Sequence, residues 1–239
     1  MDKQSLRERI WDDLEERGEA RFPFPPHGRI PNFAGADAAA DRLAATPEWE
    51  AASVLKANPD APQLPVRRRA LRAGKTVYMA VPRLRDERCF LELDPAQIDD
   101  VDAAATLSHV DEYARQVAPD VVPPIDLVVS GSVAVTPAGA RVGKGEGYSD
   151  LEYAVLGELG LIDAETPVAT TVHERQVVDD DVAVDAHDVP LDLVVTPERT
   201  IRTDATGARP DGIDWSLLDA ERIDEIPVLG RLRGADGGG

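Results

Sequence analysis

The spacing of hydrophobic positions changes along this chain, and the change separates predicted helices from predicted strands. Apolar side chains share one face of a helix predicted over residues 3–19, at Leu6, Ile10, Trp11 and Leu14. Further helices are predicted over residues 36–45, 46–55 and 64–73. Short apolar runs rich in β-branched residues predict strands over residues 76–81, 126–135, 168–172 and 191–195. Strands that alternate with helices predict an α/β fold, with a mostly parallel sheet flanked by helices.

A glycine-rich loop, residues 140–150, follows the apolar run 126–135 and precedes a helix predicted over residues 151–160. Its alternate glycines permit positive φ angles and leave backbone N–H groups uncovered. Cations beside these amides, and a helix N-terminus just beyond, would bind an anion, and Asp150 could hold a hard cation against it. A nucleotide triphosphate with Mg²⁺ satisfies these groups together. A structural turn remains the alternative, because neither common nucleotide-binding signature is present.

Charge and composition exclude several classes of protein. The 239 residues carry a net charge of −19 with only four lysines, so no basic face is evident that could bind nucleic acid. Acidic residues spread through the whole chain are typical of a halophilic protein, which salt screening keeps soluble. No apolar run reaches the roughly 20 residues that span a bilayer, and no signal peptide is recognisable. The single cysteine excludes an internal disulfide. From these observations together we expect a soluble, cytoplasmic protein without a membrane partner.

The chain is predicted to form one α/β domain over residues 1–202 and a C-terminal extension over 203–239, with a flexible glycine-rich end from Gly234. Residues 21–35 form an insert rich in proline and phenylalanine, and its aromatic side chains indicate a docked segment rather than a free linker. Residues 56–69 leave two interpretations open. Their polar donors could contact a substrate, or they could form a helix connection followed by solvated arginines.

Four motifs in matching order resemble those of the 5-formyltetrahydrofolate cyclo-ligase family, also called methenyltetrahydrofolate synthetases. They are Lys-x-x-Leu-Arg at 3–7, Gly-Lys with a strand and proline at 74–82, Gly-x-Arg-x-Gly-x-Gly-x-Gly-Tyr-x-Asp at 139–150, and Gln-Val, His-Asp and Thr segments between 176 and 196. The resemblance covers residues 3–202. The 21–35 insert looks like that of a divergent cyclo-ligase-like subgroup, and Glu146 and Ser149 also depart from the usual family pattern.

The resemblance implies the α/β fold shared by ribose-5-phosphate isomerases, CoA transferases and cyclo-ligases, and an enzyme that uses ATP and Mg²⁺. In that reaction the formyl oxygen of 5-formyltetrahydrofolate is phosphorylated, and the second folate nitrogen closes the ring. Phosphate then leaves to give 5,10-methenyltetrahydrofolate, with ADP as the other product. By the same resemblance, Arg141 and Tyr148 would be catalytic and Asp150 would bind the metal. The residues implied to bind ATP are Lys3, Arg7, Arg141, Gly143, Lys144, Gly145, Gly147, Tyr148 and Asp150.

Two other functions remain open. One is an enzyme with the same nucleotide site and a different acceptor, linked to thiamine metabolism, and the other is a non-catalytic protein that binds nucleotide or folate. The expected partner is a small molecule, a reduced folate or another pterin-like acceptor, and the expected state is a monomer or a small homo-oligomer. Asp150 could also cap the next helix, and His187 and Asp188 are expected to shape a turn beside the site.

Overall fold

The computed structural model describes residues 2–204, 209–210 and 212–236. Its strands are Ala20–Arg21 (β1), Asn32–Phe33 (β2), Val54–Ala57 (β3), Thr76–Ala80 (β4), Phe90–Leu93 (β5), Arg115–Val117 (β6), Leu127–Val129 (β7), Ala134–Val135 (β8), Arg141–Val142 (β9), Val168–Thr171 (β10), Leu193–Val195 (β11) and Thr200–Arg202 (β12). Its α-helices are Lys3–Glu16 (α1), Ala36–Ala44 (α2), Pro47–Ala51 (α3), Leu64–Arg72 (α4), Val101–Ala104 (α5), Val110–Tyr113 (α6), Tyr148–Glu158 (α7), Ala220–Glu225 (α8) and Pro227–Asp236 (α9). No helix within these ranges has the length and apolar character needed to cross a membrane.

One sheet of eight strands carries the fold, in the order β12-β11-β10-β7-β3-β4-β5-β6. The central strands from β11 to β4 run parallel, whereas β12, β5 and β6 pair antiparallel with their neighbours. This arrangement confirms the predicted α/β class with its mostly parallel sheet. The loops that leave the carboxyl ends of β3, β4 and β7 meet at one edge of the sheet, the usual place for a binding site in such folds.

Apolar side chains cover both faces of the sheet. Helices α2 and α4 bury Leu43 and Val66 on one face, and α7 and α9 bury Val155 and Val228 on the other. Helix α1 lies on the separate two-stranded sheet of β8 and β9, where its predicted apolar face is buried at Leu6, Ile10, Trp11 and Leu14. This contact fixes α1 beside β9, the strand that leads directly into the glycine-rich loop.

The helix predicted over residues 46–55 is shorter than expected. It ends at Ala51, and Leu55 lies in the central strand β3 instead. The cause is a long-range contact: the N–H groups of Ser53 and Val54 both donate to the carboxylate of Asp126, at 2.8 and 2.9 Å. This carboxylate aligns the start of β3 with the strand β7 that follows Asp126, so the chain leaves the helix early.

The sequence predicted a single strand over residues 126–135, but the structure has two. Strand β7 ends at Val129, and β8 pairs with β9 in a different sheet. Both strands are fully buried, so the sequence stays apolar although the chain changes sheet between them. Helix α7 begins at Tyr148 rather than Leu151, because Gly147 adopts a φ of 70° immediately before it and leaves the following residues free to start the helix.

The insert 21–35 is docked only in part. Its ends pair as the short antiparallel strands β1 and β2, and Phe33 is 2% exposed in the core. Phe22 and Phe24 are 78% and 57% exposed, so the prediction of docked aromatic side chains is wrong for these two. Strands β5, β6 and β12 were not predicted, since each is short and lies toward an edge of the sheet.

The last described segment of the chain is helical. Helix α9 runs through Gly234 to Asp236, and Val228 and Leu229 anchor its first turn in the main core. The flexible glycine-rich end stays a prediction. Residues 237–239, and residues 205–208 and 211 of the extension, lie outside the described ranges. The domain boundary at residue 202 stays a prediction.

Candidate active site

A cavity of about 510 Å³ lies at the carboxyl edge of the sheet, between α1, the loops after β3 and β4, and the glycine-rich loop. Its volume is within the range of roughly 300–1,000 Å³ that is usual for small-molecule sites. The structure brings all the sequence-predicted site residues to this one cavity: Lys3, Arg7, Arg141, Gly143, Lys144, Gly145, Gly147, Tyr148 and Asp150 line it. Their individual roles stay predictions.

Helix α1 supplies two cations from successive turns. The Lys3 ammonium donates to the carboxylates of Asp185 and Asp188, at 2.8 and 2.6 Å. Burial alone would lower the pKa of Lys3, but these hydrogen bonds and charges outweigh it and raise the pKa, so the side chain stays cationic. Arg7, one turn later, donates from Nε to the carbonyl of Gly143 at 2.7 Å. This bond ties α1 to the start of the loop.

The backbone of the glycine-rich loop requires glycine at two positions. Gly145 and Gly147 have φ angles of 103° and 70°, which residues with a side chain rarely adopt. Within the described part of the chain, the N–H groups of residues 143–147 donate none of the hydrogen bonds found. They are therefore available to an anion, as expected of such a loop.

The acid in this loop is paired with a cation. The Glu146 carboxylate lies 2.9 Å from the Lys144 ammonium, and both side chains are partly exposed. The departure of Glu146 from the family pattern is thus compatible with an anion site, because its charge is paired with the neighbouring cation.

Arg141 and Asp150 form a buried pair at the base of the loop. The Arg141 guanidinium donates to the carbonyl of Gly131 at 3.0 Å and to the Asp150 carboxylate. The N–H of Val189 donates to the same Asp150 oxygen at 3.3 Å. Asp150 is the third residue of α7, and its cap position is taken by Gly147, so Asp150 does not cap the helix. Its negative charge in the first turn still stabilises the helix by interacting favourably with the helix dipole.

A second group of acids lies close by and could hold a cation. One ligand atom each from Asp185, His187 and Asp188 lies within 4.8 Å of the others. His187 is in a turn, as predicted, and the N–H of Asp188 donates to the carbonyl of Asp185 across it. Since Lys3 already pairs with both carboxylates, a metal ion here would have to displace its ammonium. Asp150 and Asp188 both line the cavity, and the metal-binding role of Asp150 stays a prediction.

The sequence interpretation missed a buried ion pair in the floor of the cavity. Lys56, 1% exposed in the central strand β3, donates to the Asn58 side chain at 2.7 Å and to the carboxylate of Glu152 in α7. Asn58 donates in turn to the hydroxyl of Ser149 at 3.3 Å. The signal was a lone lysine inside the apolar strand Val-Leu-Lys-Ala. A charged side chain is buried at such a position only when a group of opposite charge pairs with it.

The segment 56–69 contributes to the site through its first residues and not through its arginines. Arg67 is 1% exposed and donates to the carbonyls of Asn58, Asp60 and Ala105, so the interpretation of solvated arginines is wrong for Arg67. These bonds hold the loop after β3 in place. The half-buried Asp60 lines the cavity, and burial raises the pKa of its carboxyl above the ordinary value.

A further cation reaches the cavity from the loop after β4. Arg83 lines it and adopts a φ of 59°, in the left-handed region that residues with a side chain seldom occupy. Non-glycine residues held in this conformation cluster at functional sites, because the strain must be offset by the surrounding structure. No motif in the sequence indicated a role for Arg83.

The family assignment rests on comparison with known proteins. The model of the 5-formyltetrahydrofolate cyclo-ligase family matches residues 1–197. Methenyltetrahydrofolate synthase domain-containing proteins of mouse and human are 44% and 40% identical over 98% of this chain, which spans 63% and 62% of their lengths.

The fold recurs in a solved structure. The solution structure of the Aquifex aeolicus 5,10-methenyltetrahydrofolate synthetase superposes with a TM-score of 0.53 at 18% identity, covering 85% of this chain and 94% of that one. At this identity the likeness concerns the fold alone. Taken with the family match over residues 1–197 and the mammalian relatives, it leaves one conclusion: the chain belongs to the 5-formyltetrahydrofolate cyclo-ligase family.

Proposed function

We propose that this chain is an ATP- and Mg²⁺-dependent cyclo-ligase that converts 5-formyltetrahydrofolate to 5,10-methenyltetrahydrofolate, with release of ADP and phosphate. The observation that carries the proposal is the convergence of Lys3, Arg7, Arg141 and Lys144 with the open amides of residues 143–147 on one cavity. The same cavity is also lined by carboxylates, among them Asp150 and Asp188, so it offers groups for an anion and for a cation together.

The donor groups around the cavity fit a polyphosphate. Phosphoryl transfer requires cations and amides placed around charged oxygens more than it requires a protein nucleophile. Arg141 is held in place by Gly131 and Asp150, and Arg7 by Gly143, so neither has to be ordered when a ligand binds. Preorganised donors of this kind lower the free-energy cost of binding.

The carboxylates fit Mg²⁺, which takes oxygen ligands and is usually held by one or two carboxylates together with phosphate oxygens. Asp150 would hold it, with Asp188 as the second candidate ligand. Bound there, Mg²⁺ would neutralise charge on the transferring phosphoryl group. Tyr148 lines the cavity at the start of α7, and its place beside Gly147 supports a role next to the reacting group.

A different acceptor is the second candidate, and a specific observation favours it. The far wall of the cavity is formed by Asn58, Asp60 and Glu152, with Lys56 buried behind them. This wall is built around an ion pair, so the shape and charge of the acceptor pocket depend on charged and polar groups that a pterin ring would have to match. The nucleotide side of the proposal does not depend on that wall.

The test is turnover of 5-formyltetrahydrofolate in molar potassium chloride, followed by the near-ultraviolet absorbance of methenyltetrahydrofolate. We expect the absorbance to rise only when ATP and Mg²⁺ are both present, with phosphate released in equal amount. Binding of ATP measured by calorimetry without any turnover would reject the folate substrate and favour the second candidate. Absence of both binding and turnover would reject the nucleotide site itself.

A further inference from the structure

The C-terminal segment, residues 212–236, returns to the glycine-rich loop. Arg222 of α8 lies with its Cζ 4.1 Å from the centre of the Tyr148 ring, and its Nη2 donates to the carbonyl of Glu146 at 3.1 Å. The family match ends at residue 197, so this contact comes from a part of the chain beyond it.

Arg222 is itself held firmly. Its backbone N–H donates to the side chain of Asp219 at 2.7 Å, which caps α8. Ile223 on the same short helix and Ile226 directly after it are buried in the main core, at 7% and 1% exposure. The guanidinium is therefore presented from an anchored element, which reduces the entropy lost in holding it against Tyr148.

The stacked pair separates two cavities. Tyr148 lines the first, whereas Arg222 lines a second cavity of about 730 Å³ on the other side. Both cavities reach Glu146 and Gly147. If the guanidinium were removed, the tyrosine ring would gain free space to turn away from the first cavity.

The loop needs such support because of its composition. Glu146 lies between Gly145 and Gly147, both with positive φ, and glycine residues leave the backbone with many accessible conformations. A hydrogen bond to the Glu146 carbonyl restricts that backbone at its most flexible point. The cation–π contact restricts the side chain of Tyr148, two residues further along.

We propose that Arg222 is a positioning residue, supplied by the C-terminal segment, that fixes the Tyr148 ring and the Glu146 carbonyl so that the loop is preformed for polyphosphate. The proposal rests on the proposed function, since it assigns Arg222 to the same site. It adds that the cyclo-ligase domain is incomplete without residues 212–236.

Two measurements on the full chain test it: backbone ¹⁵N order parameters of residues 143–150 by NMR, and the affinity for Mg-ATP by calorimetry. In Arg222→Ala we expect lower order parameters in the loop and affinity lowered by on the order of tenfold, with order parameters in the sheet unchanged. Arg222→Lys, which keeps a cation and a donor, should recover part of both losses. Arg222→Met keeps the aliphatic packing and replaces the alanine variant if that variant does not fold.

Arg85→Ala is the matched control. It removes the contact of Arg85 with Glu225, 3.3 Å away on the same helix α8, without touching Tyr148. The loop order parameters and the affinity should stay as in the parent protein. Equal effects of Arg85→Ala and Arg222→Ala, or no effect of Arg222→Ala while the parent binds Mg-ATP, would overturn the proposal. A parent protein that binds no Mg-ATP would instead reject the proposed function, and unchanged loop order parameters in Arg222→Ala would then reject the positioning role separately.

Discussion

The ammonium of Lys56 and the carboxylate of Glu152 form an ion pair beneath the candidate site, with the two side chains 1% and 8% exposed. Lys56 lies in the central strand and Glu152 in the helix that follows the glycine-rich loop, so the pair joins the sheet to the loop's own helix. Removing two charges from water is costly, and the pair is stable only because each charge compensates the other.

Loss of one partner of this pair should therefore be severe. Lys56→Met leaves the Glu152 carboxylate buried without its cation, and we expect the free energy of unfolding to fall by about 3–5 kcal/mol. The double variant Lys56→Met/Glu152→Leu should recover most of that loss, because a packed apolar pair needs no desolvation. Chemical unfolding of the single and double variants measures both effects.

The control is an exposed pair of the same kind, Arg72 with Asp102, which are 2.6 Å apart at the surface. Arg72→Met should change stability little, since water and salt screen such pairs. If the double variant were no more stable than Lys56→Met, the cost would come from lost packing and not from the unpaired charge.

How far the sequence predicted this site depends on the distance over which each contact acts. The face of α1 and the glycine-rich loop were predicted because their signals are local: helical spacing between Leu6 and Leu14, and alternate glycines from Gly143 to Gly147. The partner of Lys56 could not be predicted, because Glu152 is 96 positions away and only the packing of α7 on the sheet brings them together.

The errors in the predicted elements have the same origin. The run 126–135 stays apolar through a change of sheet, since burial and not strand pairing determines its composition. The helix at 46–55 was overextended because the carboxylate that ends it, Asp126, lies in another part of the chain. Arg222 was missed for a related reason: it is an ordinary charged residue of a short helix until the fold places it over Tyr148.

Arg141 should determine affinity for the nucleotide. Arg141→Ala removes a buried, charge-assisted donor, and we expect the affinity for ATP to fall about 10- to 100-fold. Arg141→Lys should restore little of this affinity. The planar guanidinium can donate to Gly131, Asp150 and a phosphate at the same time, whereas a lysine ammonium cannot span all three. Arg202→Ala, an exposed arginine paired with Glu48, serves as the control and should bind ATP as the parent does. Unchanged affinity in Arg141→Ala would exclude the loop as the phosphate site.

Asp150 should couple nucleotide binding to the metal. In the parent protein we expect Mg²⁺ to increase the affinity for ATP, because the ion bridges the carboxylate and the phosphates. Asp150→Asn keeps an oxygen for Arg141 and for the N–H of Val189, so the fold should persist. Its affinity without Mg²⁺ should rise as charge repulsion is lost, and the ratio of the two affinities should approach one. A ratio equal to that of the parent would place the metal elsewhere, with Asp185 and Asp188 as the alternative ligands.

Salt should stabilise the fold. With a net charge of −19, repulsion between carboxylates opposes the compact state, and screening shortens its reach from about 10 Å at 0.1 M salt to about 3 Å at 1 M. We expect the melting temperature to rise with potassium chloride, by about 2–4 °C for each kcal/mol of repulsion removed. Sodium chloride at equal ionic strength should act alike. A melting temperature that stays constant or falls over this range would contradict adaptation to high salt.

The Asp60 carboxyl should make the free energy of unfolding depend on pH. Burial raises the pKa of its carboxyl in the folded protein, so the folded state binds this proton more tightly than the unfolded chain does. The free energy of unfolding contributed by this group therefore falls as the pH rises from the unfolded pKa to the folded one. Asp60→Asn removes the buried charge, and we expect the variant to be more stable than the parent at neutral pH.

That gain should shrink as the pH is lowered through the raised pKa, because the parent then carries a neutral carboxyl as well. The exposed Asp224→Asn controls for the change in net charge. A carboxylate kept in the cavity wall at a cost to stability is expected where it contacts a ligand, so Asp60→Asn should also weaken binding of the acceptor while leaving the affinity for ATP unchanged. Equal stability of the variant and the parent at every pH would show that the Asp60 charge carries no cost in the fold, and the argument for a ligand contact at this position would then be lost.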